Sequence, residues 1–265
     1  MIAPSTFLPV DMSGKRVVVT AGAAGIGLAI AEGFLARGAS VYVCDIDEDA
    51  VTRMLADHPT VLGTVADISD VAAVDRMFDD IDTKLGGVDI LVNNAGIAGP
   101  TAGIADIAPD DLRMTLAVDV EGMFHCARRS VRHMREAGHG SIINLSSVAG
   151  RLSFAMRTPY SAAKWGVVGF TKSLALELGG ERIQVNAILP GHVNTSRFKA
   201  VVARKAAVIG VTPAEVEAQM LGAVAMGETV EPSDIANMAL FLSSPFGAAI
   251  TGQAISVCKG VEMMR

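Results

Sequence analysis

The chain has 265 residues and a net charge of −6, with 51% hydrophobic and 19% charged residues, which is typical of one compact α/β domain spanning residues 1–265. The acidic balance and the lack of a Lys/Arg cluster give no electrostatic basis for binding nucleic acid or a membrane surface. Three scattered cysteines argue against a disulfide or a metal site, and the N-terminus lacks the basic start and apolar run of a signal peptide, so we expect a cytoplasmic protein.

Short β-branched runs alternate with longer helical patterns along the chain, which is typical of βαβ units. The predicted strands are 16–20, 40–45, 61–65, 90–93, 141–145, 184–189 and 254–257. The predicted helices are 26–37, 47–57, 71–85, 110–135, 160–178 and 233–242. Because the strands are continuously apolar, we expect helices on both faces of the sheet. The pattern predicts an α/β fold with a doubly wound, mostly parallel seven-stranded sheet.

A glycine-rich turn follows the first predicted strand and leads into an apolar helix. Gly22, Gly25, Ile26 and Gly27 would let the backbone approach a pyrophosphate that sits on the helix N-terminus. The second strand ends at Asp45, where a carboxylate accepts hydrogen bonds from adenosine ribose hydroxyls and repels a 2′-phosphate. Neither position 24 nor position 46 offers a cation to receive that phosphate. The sequence therefore predicts NAD rather than NADP as the cofactor.

Tyr160 and Lys164 stand one helical turn apart, and Ser147 lies upstream of them. A free phenol, with a pKa near ~10, is a poor base at neutral pH, but an ammonium on the same helix face stabilises its anion. We expect Tyr160 to take the hydroxyl proton of a carbinol while hydride goes to the nicotinamide, with Ser147 bound to the same oxygen. Lys164 would also hold the nicotinamide ribose, and we count both Tyr160 and Lys164 among the cofactor-binding residues. The alternative is a surface pair and a loop hydroxyl without a function.

Together these motifs resemble those of the short-chain dehydrogenase/reductase family over residues 14–260. The matching pieces are the glycine turn, Asp67, Asn93 to Gly96, Ser147, Tyr160-x-x-x-Lys164, and Pro190-Gly191 followed by Thr195. The resemblance implies a Rossmann-like fold and a homotetramer assembled through the helices at 110–135 and 160–178. It also implies further cofactor contacts, with Asp67 and Ile68 against the adenine, Asn94, Ala95 and Gly96 at the end of the fourth strand, and Pro190, Gly191, Val193 and Thr195 along the nicotinamide.

The chain departs from the family pattern in three places, one of which is Val257-Cys258-Lys259-Gly260, where the family usually has Val-Asp-Gly-Gly. Ala21 stands where the turn usually has its first glycine, so the first bend must accommodate a Cβ atom. Asp119 stands where the family carries the asparagine of its catalytic tetrad, and we include it among the catalytic residues. Its charge would partly cancel the effect of Lys164 on Tyr160 and move the activity optimum to higher pH than in an Asp119→Asn variant. The alternative is a structural role at a helix bend.

The segment 191–231 has no strand pattern, and segments of this kind above an α/β sheet usually form lids. Arg157, just before Tyr160, and Arg197, in this segment, suggest a substrate with an acidic group, because a guanidinium matches a carboxylate or sulfonate in a bidentate fork. The alternative is that both are solvated charges on amphipathic lid helices.

The sequence predicts an NAD-dependent oxidoreductase that interconverts a small secondary alcohol, acidic or polyol, and its ketone. Its expected partner is a small-molecule substrate, with no nucleic acid and no membrane. Two other functions remain open. One is an NADPH-dependent 3-oxoacyl thioester reductase, against which Asp45 argues. The other is a catalytically silent dinucleotide-binding scaffold, against which the intact Ser147, Tyr160 and Lys164 argue.

Overall fold

The computed structural model describes residues 2–264. Its strands are β1 (Arg16–Thr20), β2 (Ser40–Asp45), β3 (Leu62–Val65), β4 (Ile90–Asn93), β5 (Gly140–Leu145), β6 (Ile183–Pro190) and β7 (Ala254–Val257). Its helices are α1 (Gly25–Leu35), α2 (Glu48–Asp57), α3 (Val71–Lys84), α4 (Pro109–Leu116), α5 (Gly122–Ala137), α6 (Thr158–Leu178), α7 (Ser196–Ile209), α8 (Pro213–Leu221) and α9 (Pro232–Ser243).

The seven strands described form one sheet in the order β3-β2-β1-β4-β5-β6-β7. Every neighbouring pair is parallel, and helices cover both faces, so the predicted doubly wound fold is confirmed. The chain moves outward from β1 to β3 on one side and from β4 to β7 on the other. This reversal places a crevice at the carboxyl ends of β1 and β4, where ligands bind in such sheets.

Successive residues of a strand enter different cores. Val17 and Val19 of β1 pack on one face together with Ile30 of α1, whereas Val18 packs on the other face with Phe78 of α3. Because side chains alternate along a strand, a strand covered on both faces must be apolar at every position. The continuous apolar runs of the sequence have this cause.

The structure corrects one predicted helix. The segment 110–135 is not one regular helix, because a π-helical turn at Ala117–Glu121 joins α4 to α5. An inserted turn of this kind shifts the side chains that follow it around the helix axis. It has a direct consequence for Asp119, which lies in the turn.

The predicted lid segment contains two helices, α7 and α8, which the sequence pattern did not predict. Thr195 caps α7, its Oγ1 accepting a hydrogen bond from the Phe198 N–H at 3.3 Å. Thr212 and Glu215 form a reciprocal capping box at the start of α8. The two helices pack on each other through buried apolar residues such as Phe198 and Val216. Among residues 2–264, no helix has both the length and the apolar character needed to span a membrane.

Candidate active site

The glycine turn after β1 leaves no room for a side chain at two of its glycines. A Cβ atom on Gly27 would lie 2.0 Å from the carbonyl oxygen of Ala21, and one on Gly22 would lie 2.8 Å from that of Val19. Gly25 opens α1 with φ +56°, a conformation that favours glycine. No side chain caps the N-terminus of α1, so its amide groups face the crevice. Such a cradle fits a pyrophosphate.

Ala21 adopts φ +48°, so the first bend of this turn is made in the left-handed region by a residue that has a Cβ atom. This conformation costs a non-glycine residue about 1–2 kcal/mol. The turn therefore keeps its shape at an energetic cost that glycine would not incur.

The carboxylate of Asp45 lies beside the glycine turn at the end of β2. Its Oδ2 accepts a hydrogen bond from the Ala23 N–H at 3.3 Å, and its Oδ1 accepts one from the Asp47 N–H at 3.2 Å. Asp45 is buried, whereas the neighbouring Ile46 is exposed. The carboxylate is thus held in place at the edge where an adenosine ribose would lie in a fold of this kind.

The two residues expected at the adenine differ in their surroundings. Asp67 accepts hydrogen bonds from the N–H and O–H of Ser69 at 2.9 and 2.7 Å. Its carboxylate therefore stabilises the loop that contains it. Ile68 is buried in the core, where its Cδ1 would lie 2.4 Å from a Cβ atom on Gly122. The side chain of Ile68 therefore packs under α5, and only its backbone is free to face a ligand.

Hydrogen bonds connect the end of β4 to the turn after β1. Asn94 donates from its side-chain amide to the carbonyl oxygens of Thr20 and Ala21, at 3.0 and 3.1 Å. The backbone N–H groups of Asn94 and Ala95 both donate to Thr20 Oγ1 at 3.0 Å. A Cβ atom on Gly96 would lie 3.1 Å from Lys164 Nζ. This segment links the cofactor turn to the catalytic residues.

Three candidate catalytic residues face one cleft of about 440 Å³, namely Ser147, Tyr160 and Lys164. The Nζ of Lys164 lies 5.6 Å from the centre of the Tyr160 ring and donates to the Leu145 carbonyl at 3.1 Å. Ser147 follows β5 in an extended conformation, and its Oγ accepts a hydrogen bond from the Ala149 N–H at 3.1 Å. The structure therefore brings together the three residues that the sequence singled out.

Asp119 joins this group through the π-helical turn. It is fully buried, its Oδ1 accepts a hydrogen bond from the Ile97 N–H at 2.6 Å, and its Oδ2 lies 3.1 Å from Lys164 Nζ. Within the described residues Oδ2 has no hydrogen-bond partner, so the contact with Lys164 is an ion pair without hydrogen-bond alignment. A buried anion thus stands directly behind the catalytic ammonium.

The residues after β6 form the opposite wall of the cleft. Gly191 donates from its N–H to the Val257 carbonyl at 3.0 Å, and a Cβ atom on it would lie 2.8 Å from Cys258 Cα. The other members of this wall are Pro190, Val193 and Thr195, and Ile26 and Asn94 complete the cleft on the side of the glycine turn. The residues expected along a nicotinamide therefore share one surface with the catalytic residues.

The outer end of the cleft combines apolar and basic side chains. Its lining includes Phe154, Met156, Arg157, Arg197, Phe198, Val201, Lys205 and Met220. Val201 and Met220, from α7 and α8, were not identified from the sequence. Their signal would have been the helical spacing of apolar residues in a segment that was interpreted only as a lid. Lys199 and Arg204, in contrast, do not line this cleft.

Comparisons with known proteins agree with this geometry. A family model described as enoyl-(acyl carrier protein) reductase matches residues 21–262. The chain is 37% identical over 253 residues to (2S)-[(R)-hydroxy(phenyl)methyl]succinyl-CoA dehydrogenase subunit BbsD of Thauera aromatica, covering 94% of this chain and 97% of that protein. It is similar in structure to NAD+-bound xylitol dehydrogenase, with a TM-score of 0.90, 28% identity and coverage of 94% and 99% of the two chains. It is equally similar to a variant of actinorhodin polyketide ketoreductase with NADPH, with a TM-score of 0.90, 32% identity and coverage of 98% and 99%.

Proposed function

Since the chain belongs to the short-chain dehydrogenase/reductase family and its relatives are alcohol and ketone oxidoreductases, we propose that it is NAD-dependent and interconverts a small secondary alcohol and its ketone. The observation that carries the proposal is the convergence of Ser147, Tyr160 and Lys164 on one cleft, at the sheet edge where the glycine turn ends. A protein that only binds a dinucleotide has no use for this arrangement.

A nicotinamide held in this cleft would accept the hydride that leaves the carbinol carbon, and the protein would supply the proton transfer. In the oxidation direction, Tyr160 as phenolate would take the hydroxyl proton of the alcohol. Ser147 donates a hydrogen bond to the same oxygen, which keeps the reacting C–H bond oriented. Lys164 stabilises the phenolate through its charge and offers N–H donors to the ribose. Asp119, behind it, holds the ammonium in this position.

The preference for NAD rests on Asp45. Its fixed carboxylate can accept hydrogen bonds from two ribose hydroxyls, and it would repel a 2′-phosphate. The solved structures similar to this chain include one with NAD+ and one with NADPH, so the family alone does not choose between the cofactors. The test is an absorbance assay at 340 nm in which NAD and NADP are each offered with the same alcohols. A clear preference for NADP would contradict the assignment.

The reaction itself is tested with a panel of secondary alcohols that contains polyols, hydroxy acids and hydroxysulfonates. We expect NADH formation with at least one class, and we expect the reverse reduction of the matching ketone. An NADPH-dependent 3-oxoacyl thioester reductase is the second candidate, supported by 31% identity over 258 residues to 3-oxoacyl-[acyl-carrier-protein] reductase FabG of Chlamydia pneumoniae and opposed by Asp45. Binding of NAD without turnover of any panel member or thioester would instead favour a silent scaffold.

We further propose that residues 1–265 form one domain, in which α7 and α8 act as a lid, and that the protein is cytoplasmic. We also propose a homotetramer that forms through α5 and α6, because Phe124 on α5 and Trp165 on α6 are each 53% exposed, which is unusual for large apolar side chains. Sedimentation analysis of the protein and of a Phe124→Glu, Trp165→Glu double variant tests the assembly. A monomer at micromolar concentration would contradict it.

A further inference from the structure

We propose that the outer end of the cleft binds a carboxylate or sulfonate group of the substrate, with Arg157 as the main contact and Arg197 and Lys205 beside it. The proposal rests on the proposed function, because the anion would belong to the same molecule as the reacting carbinol. It narrows the expected substrates from small secondary alcohols in general to hydroxy acids or hydroxysulfonates.

The first observation is the charge of the cleft. The charged residues among its described lining are Arg157, Lys164, Arg197 and Lys205, and none of that lining is an aspartate or glutamate. The chain as a whole carries a net charge of −6. A cationic cleft in an acidic protein concentrates anions at one place on its surface.

These cations also differ in their partners. Lys164 is paired with Asp119, whereas Arg157, Arg197 and Lys205 take part in no ion pair within the part of the chain that the structure describes. Other arginines of the chain, such as Arg129, are matched by carboxylates. The three cations without an ion-pair partner therefore line the same cleft as Tyr160.

Arg157 is held in a fixed orientation over the catalytic tyrosine. Its Cζ lies 4.6 Å from the centre of the Tyr160 ring, and its Nη2 donates to the Ala98 carbonyl at 2.8 Å. Its Nε is buried and has no hydrogen-bond partner among the described residues. A buried donor without an acceptor is rare in folded proteins and calls for a ligand or a water molecule. A planar guanidinium that is already oriented loses little entropy when it binds an oxyanion.

Arg197 reaches the same place from α7. Its Nη2 donates a hydrogen bond to the carbonyl oxygen of Gly96. Gly96 lies two residues before Ala98, whose carbonyl oxygen accepts the hydrogen bond from Arg157. Both guanidinium groups are therefore fastened to one short segment after β4. Burial lowers the pKa of Arg157, and the charges of Arg204 and Arg197 lower it further, while Tyr160 and Asp119 oppose this. A bound anion would offset the repulsion between these cations.

Two competing roles for the arginines predict different results in the same experiment. They could bind a phosphate of the cofactor, since Thr195 and Arg197 are near neighbours at the start of α7. They could also only pack the lid segment against the rest of the protein. The first role predicts an effect on the KM for NAD, and the second predicts equal effects on charged and neutral substrates.

The test compares 4-hydroxycyclohexanecarboxylate, 4-hydroxycyclohexanesulfonate and the neutral 4-hydroxycyclohexanecarboxamide, each with NAD. We expect kcat/KM for the preferred acid to exceed that for the amide by about 10- to 100-fold, the range for a hydrogen-bonded charge pair. Arg157→Gln should bring this ratio close to one, and Arg197→Gln should lower it less. The matched control is Lys199→Gln, since Lys199 is an exposed cation of α7 outside the cleft, and it should leave the ratio unchanged.

The ratio is informative because both substrates need Tyr160, so damage to the catalytic residue cancels. Arg157→Lys, which keeps the charge but not the planar fork, should give an intermediate ratio. An acid-to-amide ratio near one in the unmodified protein would overturn the proposal. So would a ratio that neither arginine variant changes, or a rise in KM confined to NAD.

The proposal can fail separately from the proposed function. If no alcohol of any kind is oxidised, isothermal titration calorimetry on the NADH-saturated protein still tests the anion site. The affinities of cyclohexanecarboxylate and cyclohexanecarboxamide are then compared. Binding of the acid at least about tenfold tighter than the amide, lost in Arg157→Gln, supports the anion site without any catalysis. Equal binding of the two probes rejects it, whichever reaction the protein performs.

Discussion

The cofactor half and the substrate half of this cleft are built from different parts of the chain. In the cofactor half, the shape is set by backbone, and a single Cβ atom on Gly27 would collide with a carbonyl oxygen at 2.0 Å. In the substrate half, the shape is set by long side chains such as Arg157 and Arg197 on a loop and a lid helix. The first half therefore restricts the sequence tightly, and the second permits many side chains and many substrates.

The largest effect is expected from adding one methyl group to the cofactor half. Gly27→Ala should abolish measurable NAD binding, because the new Cβ atom meets the backbone of Ala21 and the amide of Asn94, neither of which can move without opening the turn. The measurement is NADH fluorescence titration of the folded variant. The matched control is Gly169→Ala, where a Cβ atom meets nothing within 4 Å, and tight binding should persist there. Unchanged binding by Gly27→Ala would contradict the assignment of the turn.

A smaller effect is expected from the charge at the adenosine end. Asp45→Asn keeps an acceptor oxygen for the local backbone but removes the charge, so the ratio of kcat/KM with NAD to that with NADP should fall by about tenfold or more. The control is Asp47→Asn, two residues further on and exposed. If Asp45→Asn leaves the ratio as it was, another residue selects the cofactor.

The pH dependence should respond to Asp119. Its carboxylate lies 3.1 Å from Lys164 Nζ and partly cancels the attraction of that ammonium for the phenolate of Tyr160. Removing the charge in Asp119→Asn removes this opposition, so the rising limb of log(kcat/KM) should move to lower pH. Asp110→Asn, on the exposed face of α4, should not move it. Superimposable profiles would leave Asp119 with a structural role only.

The smallest expected effect concerns the stability of the turn. Ala21→Gly should raise the free energy of unfolding by about 0.5–1 kcal/mol, because glycine adopts φ +48° without a steric cost. The greater entropy of glycine in the unfolded chain offsets part of this gain. Urea denaturation measures the difference. Ala56→Gly, on the exposed side of α2, should instead lower the stability. A less stable Ala21→Gly protein would show that the methyl group of Ala21 contributes useful packing.

The sequence was sufficient to predict the sheet and the glycine turn, because both depend on local patterns. Continuous apolar strands and a glycine turn between strand and helix can be recognised over a few residues. The capping box of Thr212 and Glu215 is a local pattern too, and it would have predicted where α8 begins within the lid segment.

The rest depends on contacts between distant segments. The π-helical turn that carries Asp119 is held by a hydrogen bond from Ile97 and by the ion pair with Lys164 on α6. No residue pattern in the neighbouring sequence predicts this turn. Ile68 packs under Gly122 of α5 for the same kind of reason. The anchoring of Arg197 on Gly96 joins residues about a hundred positions apart, so the sequence could suggest an acid-binding role but not where the guanidinium lies.

The central claim is that Tyr160 exchanges a proton with the substrate while hydride moves to NAD. Its most direct measurement is a single-turnover assay of Tyr160→Phe with saturating NAD and the best alcohol of the panel, together with an NADH titration of the same variant. We predict a loss of rate of about a thousandfold or more with a far smaller change in NADH affinity, because the variant loses the acid-base group and keeps the aromatic ring. A Tyr160→Phe protein that retains the full rate would contradict the account.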